Sequence, residues 1–351
     1  MKHLIPAAAF FTFLLSSCDT KDPVTPDPDI PPTVSGVYIV NEGGFGKSTS
    51  SLSLYVPDSG KSYGDVFFAA NGRGLGDVAN DMVIHDGKGY IVMNNSHRIE
   101  VISMTTHLSL GTVQLPGNSP YQAVILNAHK GYVTNYYKGS VSVFDPATFQ
   151  VLTEIPVGKN PKGIALHNGF VYVCNSGDFS ADSTLSVIDV AADSVVKTVT
   201  VGLGPNDAAV DGDGDLFVRC YGYQDWGNPA NSKAGSIAVV HTGTRSLQAV
   251  IPLPLVQHGH PGRMAVSKKG TGYVATGAAV LSFDTKTNAL RSTSIERANI
   301  YGVAVDDVQD RVYLTDAADY VRNGTLFVYS AQRTLLDSVT VGIVPGRIVL
   351  K

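Results

Sequence analysis

The chain has 351 residues, a formal charge of −4 and 44% hydrophobic residues, and its 26 lysines and arginines are scattered along its length. This scatter forms no basic stripe, which argues against a nucleic-acid-binding surface. With three cysteines in total, the chain has too few for a disulfide scaffold. Whether Cys174 and Cys220 are buried thiols is left open at this stage.

Residues 1–17 are predicted to be a lipoprotein signal peptide. The basic residue Lys2 precedes an apolar run from Leu4 to Leu15. This run is shorter than the roughly 20 residues that a membrane-spanning helix needs. It ends in "LSSC", which resembles a bacterial lipobox, so Cys18 is the predicted site of lipidation. An ordinary secreted protein with a chance cysteine at this position is the alternative.

Residues 18–35 are predicted to form an extended tether. The segment "DTKDPVTPDPDIPP" that follows Cys18 is dominated by proline and aspartate, a composition that cannot build a core. Within it, "DTKD" partly resembles the export signal of Bacteroidetes surface lipoproteins. We therefore expect an outer-membrane lipoprotein that is exposed on the cell surface and attached to the membrane by its lipid anchor alone.

Residues 36–351 are predicted to form one β-propeller domain. An aromatic residue recurs inside a strand-like segment at similar intervals along this part of the chain. A period of roughly 40 to 45 residues with strand signals alone is typical of a propeller that has four strands in each blade. We therefore predict an all-β fold of seven blades, each a four-stranded antiparallel sheet. The recurring aromatic residues are Tyr38, Tyr90, Tyr132, Tyr172, Phe217, Tyr273 and Tyr313.

The first repeat unit, from Gly36 to Gly72, contains three predicted strands instead of four. The chain ends in "VPGRIVLK", which resembles the first strand of other units, such as "PKGIAL". We predict that this C-terminal strand completes the first blade. The ring would then be closed, which removes free sheet edges that otherwise promote aggregation.

Alternating strand directions place the second-to-third-strand loops and the blade-to-blade connections on one face. Those loops are rich in aromatic and amide side chains, whereas the opposite first-to-second-strand turns contain no aromatic residue. Exposed aromatics on one face of a rigid scaffold indicate a binding surface. The alternative is that the long loops pack their own aromatics as a local core, and the asparagines could cap turns as well as bind a ligand. The candidate ligand-binding residues are Asn41, Glu42, Phe45, Asn94, Asn95, His97, Asn135, Tyr136, Tyr137, Asn175, Phe179, Tyr221, Tyr223, Trp226, His258, Asp316 and Tyr320.

Several motifs resemble known chemistry without completing it. "NEGGFGKST" lacks the glycine that a phosphate-binding loop needs six positions before Lys47, and a strand follows it. "DGDGD" at 211–215 lacks the later glutamate of a calcium loop, which favours a turn. His258 and His260 could share a metal, but a solvated loop is favoured, so no metal site is predicted. No credible set of nucleophile, base and oxyanion donors is present, so neither catalysis nor a cofactor is predicted.

Longer motifs carry a family resemblance. "NEGGF", "ANGRGLGDVANDMVI", "GYIVMNNSH" and the ending "VGIVPGR" resemble the YncE-like propellers of Bacteroidetes surface lipoproteins, and among these the BtuG-type proteins. The resemblance extends from Tyr38 to Lys351. It implies that the protein captures cobalamin (vitamin B12), as a bound ligand and not as a cofactor, and passes it to a TonB-dependent outer-membrane transporter.

The implied ligand agrees with the chemistry of the loops. A corrin is wide, flat, partly apolar and rimmed with amides, so it can stack on tyrosine rings while polar side chains bind its amides. Two other functions remain open from the residues alone. The aromatic face could bind another protein in interaction or adhesion, or the central channel could hold the site of a propeller lyase or dehydrogenase-like enzyme.

Overall fold

A computed structural model of the protein describes residues 35–178, 182–225, 227–255, 263–277, 279–297 and 299–351. Seven four-stranded sheets follow one another along the chain, and every strand pairing within them is antiparallel. The predicted seven-bladed β-propeller is therefore confirmed.

The strands are numbered in chain order, and blades 2 to 7 each use four consecutive strands from the inside outwards. Blade 1 contains β1 (Val37–Asn41), β2 (Ser51–Val56), β3 (Lys61–Tyr63) and the last strand of the chain, β28 (Pro345–Leu350). Blade 2 contains β4 (Ala79–His85), β5 (Lys88–Met93), β6 (Arg98–Ser103) and β7 (Ser109–Gln114). Blade 3 contains β8 (Pro120–Asn127), β9 (Lys130–Asn135), β10 (Ser140–Phe144) and β11 (Val151–Pro156). Blade 4 contains β12 (Pro161–His167), β13 (Phe170–Asn175), β14 (Thr184–Asp189) and β15 (Ser194–Thr200).

The remaining three blades continue this arrangement. Blade 5 contains β16 (Pro205–Val210), β17 (Leu216–Cys220), β18 (Ser236–His241) and β19 (Ser246–Pro252). Blade 6 contains β20 (Met264–Val266), β21 (Thr271–Ala275), β22 (Val280–Asp284) and β23 (Ala289–Ile295). Blade 7 contains β24 (Ile300–Asp306), β25 (Arg311–Asp316), β26 (Asn323–Ser330) and β27 (Leu335–Ile343).

The hydrophobic core lies between the blades. The described residues form seven buried clusters, and each cluster joins residues of two neighbouring blades. The recurring aromatic of each second strand belongs to this core. Tyr132, for example, is fully buried, and its hydroxyl donates to Asp193 of blade 4 at 2.7 Å. A repeated aromatic thus supplies both apolar area and a polar link to the next blade.

Within the described residues, short helices occur only in the connections between strands. Helix α1 (Val66–Asn71) lies between blades 1 and 2, where Asp65 caps it by accepting from the amide of Phe68 at 3.1 Å. A short 3-10 helix spans Pro229–Asn231 in the connection between β17 and β18. No helix in the described ranges is both long and apolar enough to cross a membrane. Cys174 and Cys220 are free, buried thiols in the interface between blades 4 and 5.

The C-terminal strand closes the ring. Strand β28 pairs antiparallel with β1, from Val37 opposite Leu350 to Asn41 opposite Pro345, and so becomes the innermost strand of blade 1. Each innermost strand contacts the innermost strands of the blades on both sides. The predicted closure by the C-terminal strand is therefore confirmed.

Removing residues 345–351 tests how far stability depends on closure. We expect the melting temperature to fall by on the order of 10 °C or more, because the deletion leaves β1 unpaired on one edge and opens the interfaces of blade 1. Thermal unfolding followed by circular dichroism measures this, with Val308→Ser at the exposed turn between β24 and β25 as the control. A truncated chain that melts with the control would contradict the closure account.

Candidate functional site at the channel mouth

The upper face is defined here as the face that carries the second-to-third-strand loops and the blade-to-blade connections. Each innermost strand begins at this face and runs down the central channel. The pairing register shifts at the start of six of these strands: β4, β8, β12, β16, β24 and β28. Such bulges break the strict alternation of side chains. The channel mouth is therefore built by residues at the beginnings of the inner strands together with the upper loops.

Three tyrosines of blade 3 form a continuous aromatic wall at this mouth. The ring centroids of Tyr121 and Tyr136 are 6.0 Å apart, and those of Tyr136 and Tyr137 are 4.7 Å apart in an edge-to-face arrangement. Tyr137 is 72% exposed, whereas Tyr121 and Tyr136 are partly buried. The wall thus runs from the channel outwards to solvent.

A lysine from blade 4 lies against this wall. The Nζ of Lys162 is 5.5 Å from the centroid of Tyr121 and 5.4 Å from that of Tyr136, within the range of cation–π attraction. The same atom forms an ion pair with Oδ1 of Asp178 at 2.8 Å. Because two rings and a carboxylate hold the ammonium group, Lys162 is a fixed donor in the cleft.

An arginine from blade 6 crosses the channel. The Nε of Arg263 donates to the carbonyl of Gly346 in blade 1 at 3.2 Å, and its Nη2 donates to the carbonyl of Asn80 in blade 2 at 2.6 Å. Its guanidinium lies 6.0 Å from the ring of Tyr121 in blade 3. The side chain is 8% exposed. Arg263 therefore forms part of the floor of the mouth.

A glutamate and two further tyrosines form the opposite side. The hydroxyl of Tyr301 donates to Oε2 of Glu42 at 3.3 Å, and the rings of Tyr301 and Tyr320 meet edge to face at 6.0 Å. Burial raises the pKa of Glu42 to about 7, although Arg263, the Tyr301 hydrogen bond and Lys162 act in the opposite direction. Glu42 can therefore accept or donate a proton near neutral pH.

Gly346 makes room for that carboxylate. A Cβ at this position would come within 2.5 Å of Oε1 of Glu42 and 3.1 Å of the Tyr301 ring. The inner strand of blade 1 thus lacks a side chain where the Glu42 carboxylate packs against it. We name the set Glu42, Tyr121, Tyr136, Lys162, Arg263 and Tyr301 the channel-mouth cluster.

The predicted asparagines divide into two groups, and the first belongs to the framework of the blades. Asn41, Asn135 and Asn175 are fully buried. The amide of each donates to two hydroxyl groups of the neighbouring third strand at 2.8 to 3.0 Å. These three side chains are held by hydrogen bonds inside the blades, and their role as ligand contacts stays a prediction.

The second group braces the upper loops. Asn94 donates to the carbonyls of Ser119 and Pro120 at 3.1 and 3.0 Å, and Nδ1 of His97 accepts from the amide of Ser119 at 3.2 Å. Asn95 donates to Asp77 at 2.6 Å. Asp316 likewise accepts from the amide of Ala318 at 2.7 Å and shapes its own turn. All four side chains are partly buried, so they lie at the upper face but support loops there.

The remaining candidates lie further out or outside the described ranges. Phe45 is 73% exposed and Tyr223 is 38% exposed. Tyr221 donates to the carbonyl of Asp178 at 3.3 Å, and burial raises its pKa to about 12. Phe179, Trp226 and His258 lie outside the described residues, as do His260 and Cys18. The channel-mouth cluster therefore contains Glu42 and Tyr136 from the predicted set, and Tyr320 packs against it.

Four members of the cluster were not predicted: Tyr121, Lys162, Arg263 and Tyr301. They occupy similar places at the starts of inner strands, in "SPYQA", "NPKGI", "HPGRM" and "ANIYG". When the repeats are aligned on the pairing of the first strand, Tyr121, Lys162 and Tyr301 fall at one position and Arg263 falls one residue later. The side chains at these two positions differ in size and charge from unit to unit, which is the signal in this sequence for a channel mouth.

The acidic segment at 211–215 is closed by hydrogen bonds of its own first side chain. Oδ1 of Asp211 accepts from the amides of Asp213 and Asp215, both at 3.0 Å, which is the hydrogen bonding of a turn. In the described part of the chain, no group of three or more His, Cys, Asp or Glu residues is placed to hold a metal ion.

The fold and site define a β-propeller whose channel opens into an aromatic, charged cleft. The chain belongs to the family described as "domain of unknown function (DUF5074)", which matches residues 35–323. No curated protein matches the chain.

Solved structures share the fold at low sequence identity. A functionally unknown protein from Desulfotomaculum acetoxidans has a TM-score of 0.68 at 15% identity, over 90% of this chain and 98% of its own. A quinonprotein alcohol dehydrogenase-like protein from Bacteroides thetaiotaomicron has a TM-score of 0.65 at 15% identity, over 90% and 78%. Hydrazine synthase from Kuenenia stuttgartiensis has a TM-score of 0.63 at 17% identity, over 74% and 85%. At these identities the likeness establishes the fold alone.

The raised pKa of Glu42 predicts a specific pH dependence. In the folded protein this group binds its proton more tightly than in the unfolded chain, so its contribution to stability is complete below about pH 4.5 and is lost as the pH rises to about 7. Glu42→Gln removes this loss. The melting temperature of the variant minus that of the wild type is therefore expected to be roughly 2–4 °C larger at pH 8 than at pH 5.

Melting curves at both pH values measure that difference, with Glu296→Gln at an exposed position as the matched control. The account predicts a pH-dependent gap for Glu42→Gln and none for the control. A constant gap between pH 5 and pH 8 would show that Glu42 has an ordinary pKa.

Proposed function

We propose that this propeller is a surface binding protein that captures cobalamin, or a nutrient of similar size and chemistry, without turning it over. The observation that carries the proposal is the aromatic wall of Tyr121, Tyr136 and Tyr137 beside the fixed ammonium of Lys162. Flat apolar surface can stack on the rings, while the lysine binds carbonyl oxygens at the ligand's edge.

The opposite side of the cleft supplies complementary chemistry. The Glu42 carboxylate can accept N–H groups from a ligand, and Tyr301 and Tyr320 present rings with polar tips. A ligand that is wide, partly apolar and rimmed with amides matches this mixture. Cobalamin meets this description, and the resemblance to BtuG-type proteins supports the choice.

The rigid placement of the side chains in the cleft favours tight binding of a ligand. The cleft is assembled from five different blades of a closed ring, and most of its polar atoms already have partners in the protein. Such a site orders few side chains when the ligand binds. Scavenging a scarce nutrient requires a dissociation constant of about 1 nM or below, which corresponds to about −12 kcal/mol.

We further propose that the protein is a lipid-anchored outer-membrane protein on the cell surface that passes its ligand to a TonB-dependent transporter. This part of the proposal rests on the leader, the tether and the family resemblance. The folded domain would then be the only part that meets the ligand.

The anchor is tested with Cys18→Ser. We expect the wild-type protein in the membrane fraction and the variant in the soluble fraction, because a serine at position 18 has no sulfur atom to carry a lipid and the variant thus loses its membrane affinity. Fractionation and labelling with a radioactive fatty acid measure this. A wild-type protein that takes up no label would contradict the anchor.

Capture is tested by calorimetry with cyanocobalamin. We expect Tyr136→Ala to weaken binding roughly tenfold or more, since it removes the middle ring of the wall, and Tyr136→Phe to retain most of the affinity. Val308→Ala, at an exposed lower-face turn, is the control. Equal affinity in Tyr136→Ala and the wild type would reject this placement of the ligand.

Catalysis is the second candidate, because Glu42 has a pKa of about 7 beside the Tyr301 hydroxyl. The solved structures that share the fold include a streptogramin B lyase, with a TM-score of 0.57 at 14% identity over 74% of this chain and 81% of its own. Mass spectrometry of the recovered ligand separates the two functions. Capture requires the ligand to be released unchanged, whereas a converted ligand would favour the enzyme.

A further inference from the structure

Two arginines from neighbouring blades are buried next to the channel mouth. Arg263 of blade 6 is 8% exposed, and Arg219, near the upper end of β17 in blade 5, is 4% exposed. The Nη1 of Arg219 donates to Oδ1 of Asn206 at 3.3 Å, and its Nη2 donates to the carbonyl of Ala275 at 3.1 Å. The acceptors of Arg263 are the two carbonyl groups already described. Both guanidinium groups are thus held by uncharged partners.

Neither guanidinium group has a carboxylate at ion-pair distance. In the described ranges, no carboxylate oxygen lies within 4.0 Å of a side-chain nitrogen of Arg219 or Arg263. The other residues of 35–351 include no aspartate or glutamate. A buried cation without a counter-ion is unfavourable. The mouth therefore contains two buried positive charges that lack a directly contacting anion.

Three acids attract Arg263 from a greater distance, and each of them is engaged elsewhere or partly neutral. Asp81 forms an ion pair with Arg347 at 2.9 Å. Asp207 accepts from two backbone amides, at 2.9 and 3.1 Å. Burial raises the pKa of Glu42 to about 7, so this third acid carries only part of its charge at neutral pH. None of the three therefore supplies a free carboxylate to Arg263.

Lys162 and Arg263 approach the same aromatic ring from different blades. The Nζ of Lys162 lies 5.5 Å from the centroid of the Tyr121 ring, and Cζ of Arg263 lies 6.0 Å from it. Burial lowers the pKa of Lys162 to about 8, and the positive charges of Arg263 and Arg219 act in the same direction. The three cations are thus close enough to repel one another. An anion beside the Tyr121 ring is therefore attracted by both Lys162 and Arg263.

We propose that Lys162 and Arg263 form an oxoanion site at the channel mouth, which binds the phosphate group of a phosphate ester. Lysine and arginine are the side chains that commonly bind phosphate in proteins. The ion pair of Lys162 with Asp178 uses one of its three N–H donors, so the ammonium group can also donate to a ligand. The organic part of the ester stacks on the adjoining rings of Tyr121 and Tyr136. The inference rests on the proposed function in placing the ligand at the mouth, and it adds that the ligand is an anion.

Calorimetric titrations of the purified protein with phenyl phosphate, inorganic phosphate and benzyl alcohol test this site. We expect phenyl phosphate to bind saturably and roughly tenfold or more tightly than either of the others. It alone combines a ring for the aromatic wall with an anion for the two cations. Added salt weakens the binding of phenyl phosphate, because the ions screen these charges.

Lys162→Met removes one cation and keeps a side chain of similar length, so the affinity for phenyl phosphate falls roughly tenfold or more. Lys138→Met is the matched control and leaves the affinity unchanged, because Lys138 is a lysine of the upper face whose side chain is 45% exposed. Arg263→Gln tests the second cation in the same way, and melting curves establish which variants are folded. If Arg263→Gln fails to fold, Lys162→Met alone decides.

The oxoanion site is overturned if phenyl phosphate does not bind saturably, or if benzyl alcohol or inorganic phosphate binds as tightly. It is also overturned if folded Lys162→Met keeps the wild-type affinity. Titration with cyanocobalamin separates this failure from that of the proposed function. Binding of cyanocobalamin without binding of phenyl phosphate rejects the oxoanion site alone, whereas the reverse result supports the oxoanion site and rejects cobalamin capture.

Discussion

The structure depends on the closed ring of innermost strands. Strand β28 completes blade 1, so all seven inner strands have neighbours on both sides. Side chains also join neighbouring inner strands around the channel: Asp81 accepts from the amide of Ala123 at 3.1 Å, Gln122 from that of Ile164 at 3.2 Å and Asp207 from that of Met264 at 2.9 Å. These contacts hold the inner strands that carry the channel mouth.

The closed ring of inner strands also explains how the structure accommodates a cleft with buried charged side chains. Arg263 reaches two carbonyls on the far side of the channel, and Lys162 is held between two rings and Asp178. Buried charges are unfavourable unless they are paired. Here Arg263 binds carbonyls of blades 1 and 2, and Lys162 lies between two rings of blade 3 and a carboxylate of its own blade. A cleft of this kind is preorganised because the scaffold positions its polar groups.

Particular residues predict much of the fold, whereas the sequence analysis predicts only two of the six members of the channel-mouth cluster, Glu42 and Tyr136. The recurring buried aromatics, from Tyr38 to Tyr313, predict the seven blades, and the final "VPGRIVLK" predicts closure. Strand alternation places Tyr136 and Tyr137 at the upper face. The inner-strand residues Tyr121 and Tyr301 were missed because register shifts at the starts of β8 and β24 break the two-residue period. The sequence does not show that the amides of Asn41, Asn135 and Asn175 turn inwards, where they donate to hydroxyl groups of the next strand.

The central claim is that the channel mouth on the upper face receives a large flat ligand. A crystal structure of the protein grown with excess cyanocobalamin tests it most directly. The account predicts corrin density against the rings of Tyr136 and Tyr137, with a corrin amide within hydrogen-bond distance of Lys162. A corrin bound at the lower face, or crystals without corrin density at saturating ligand, would contradict it.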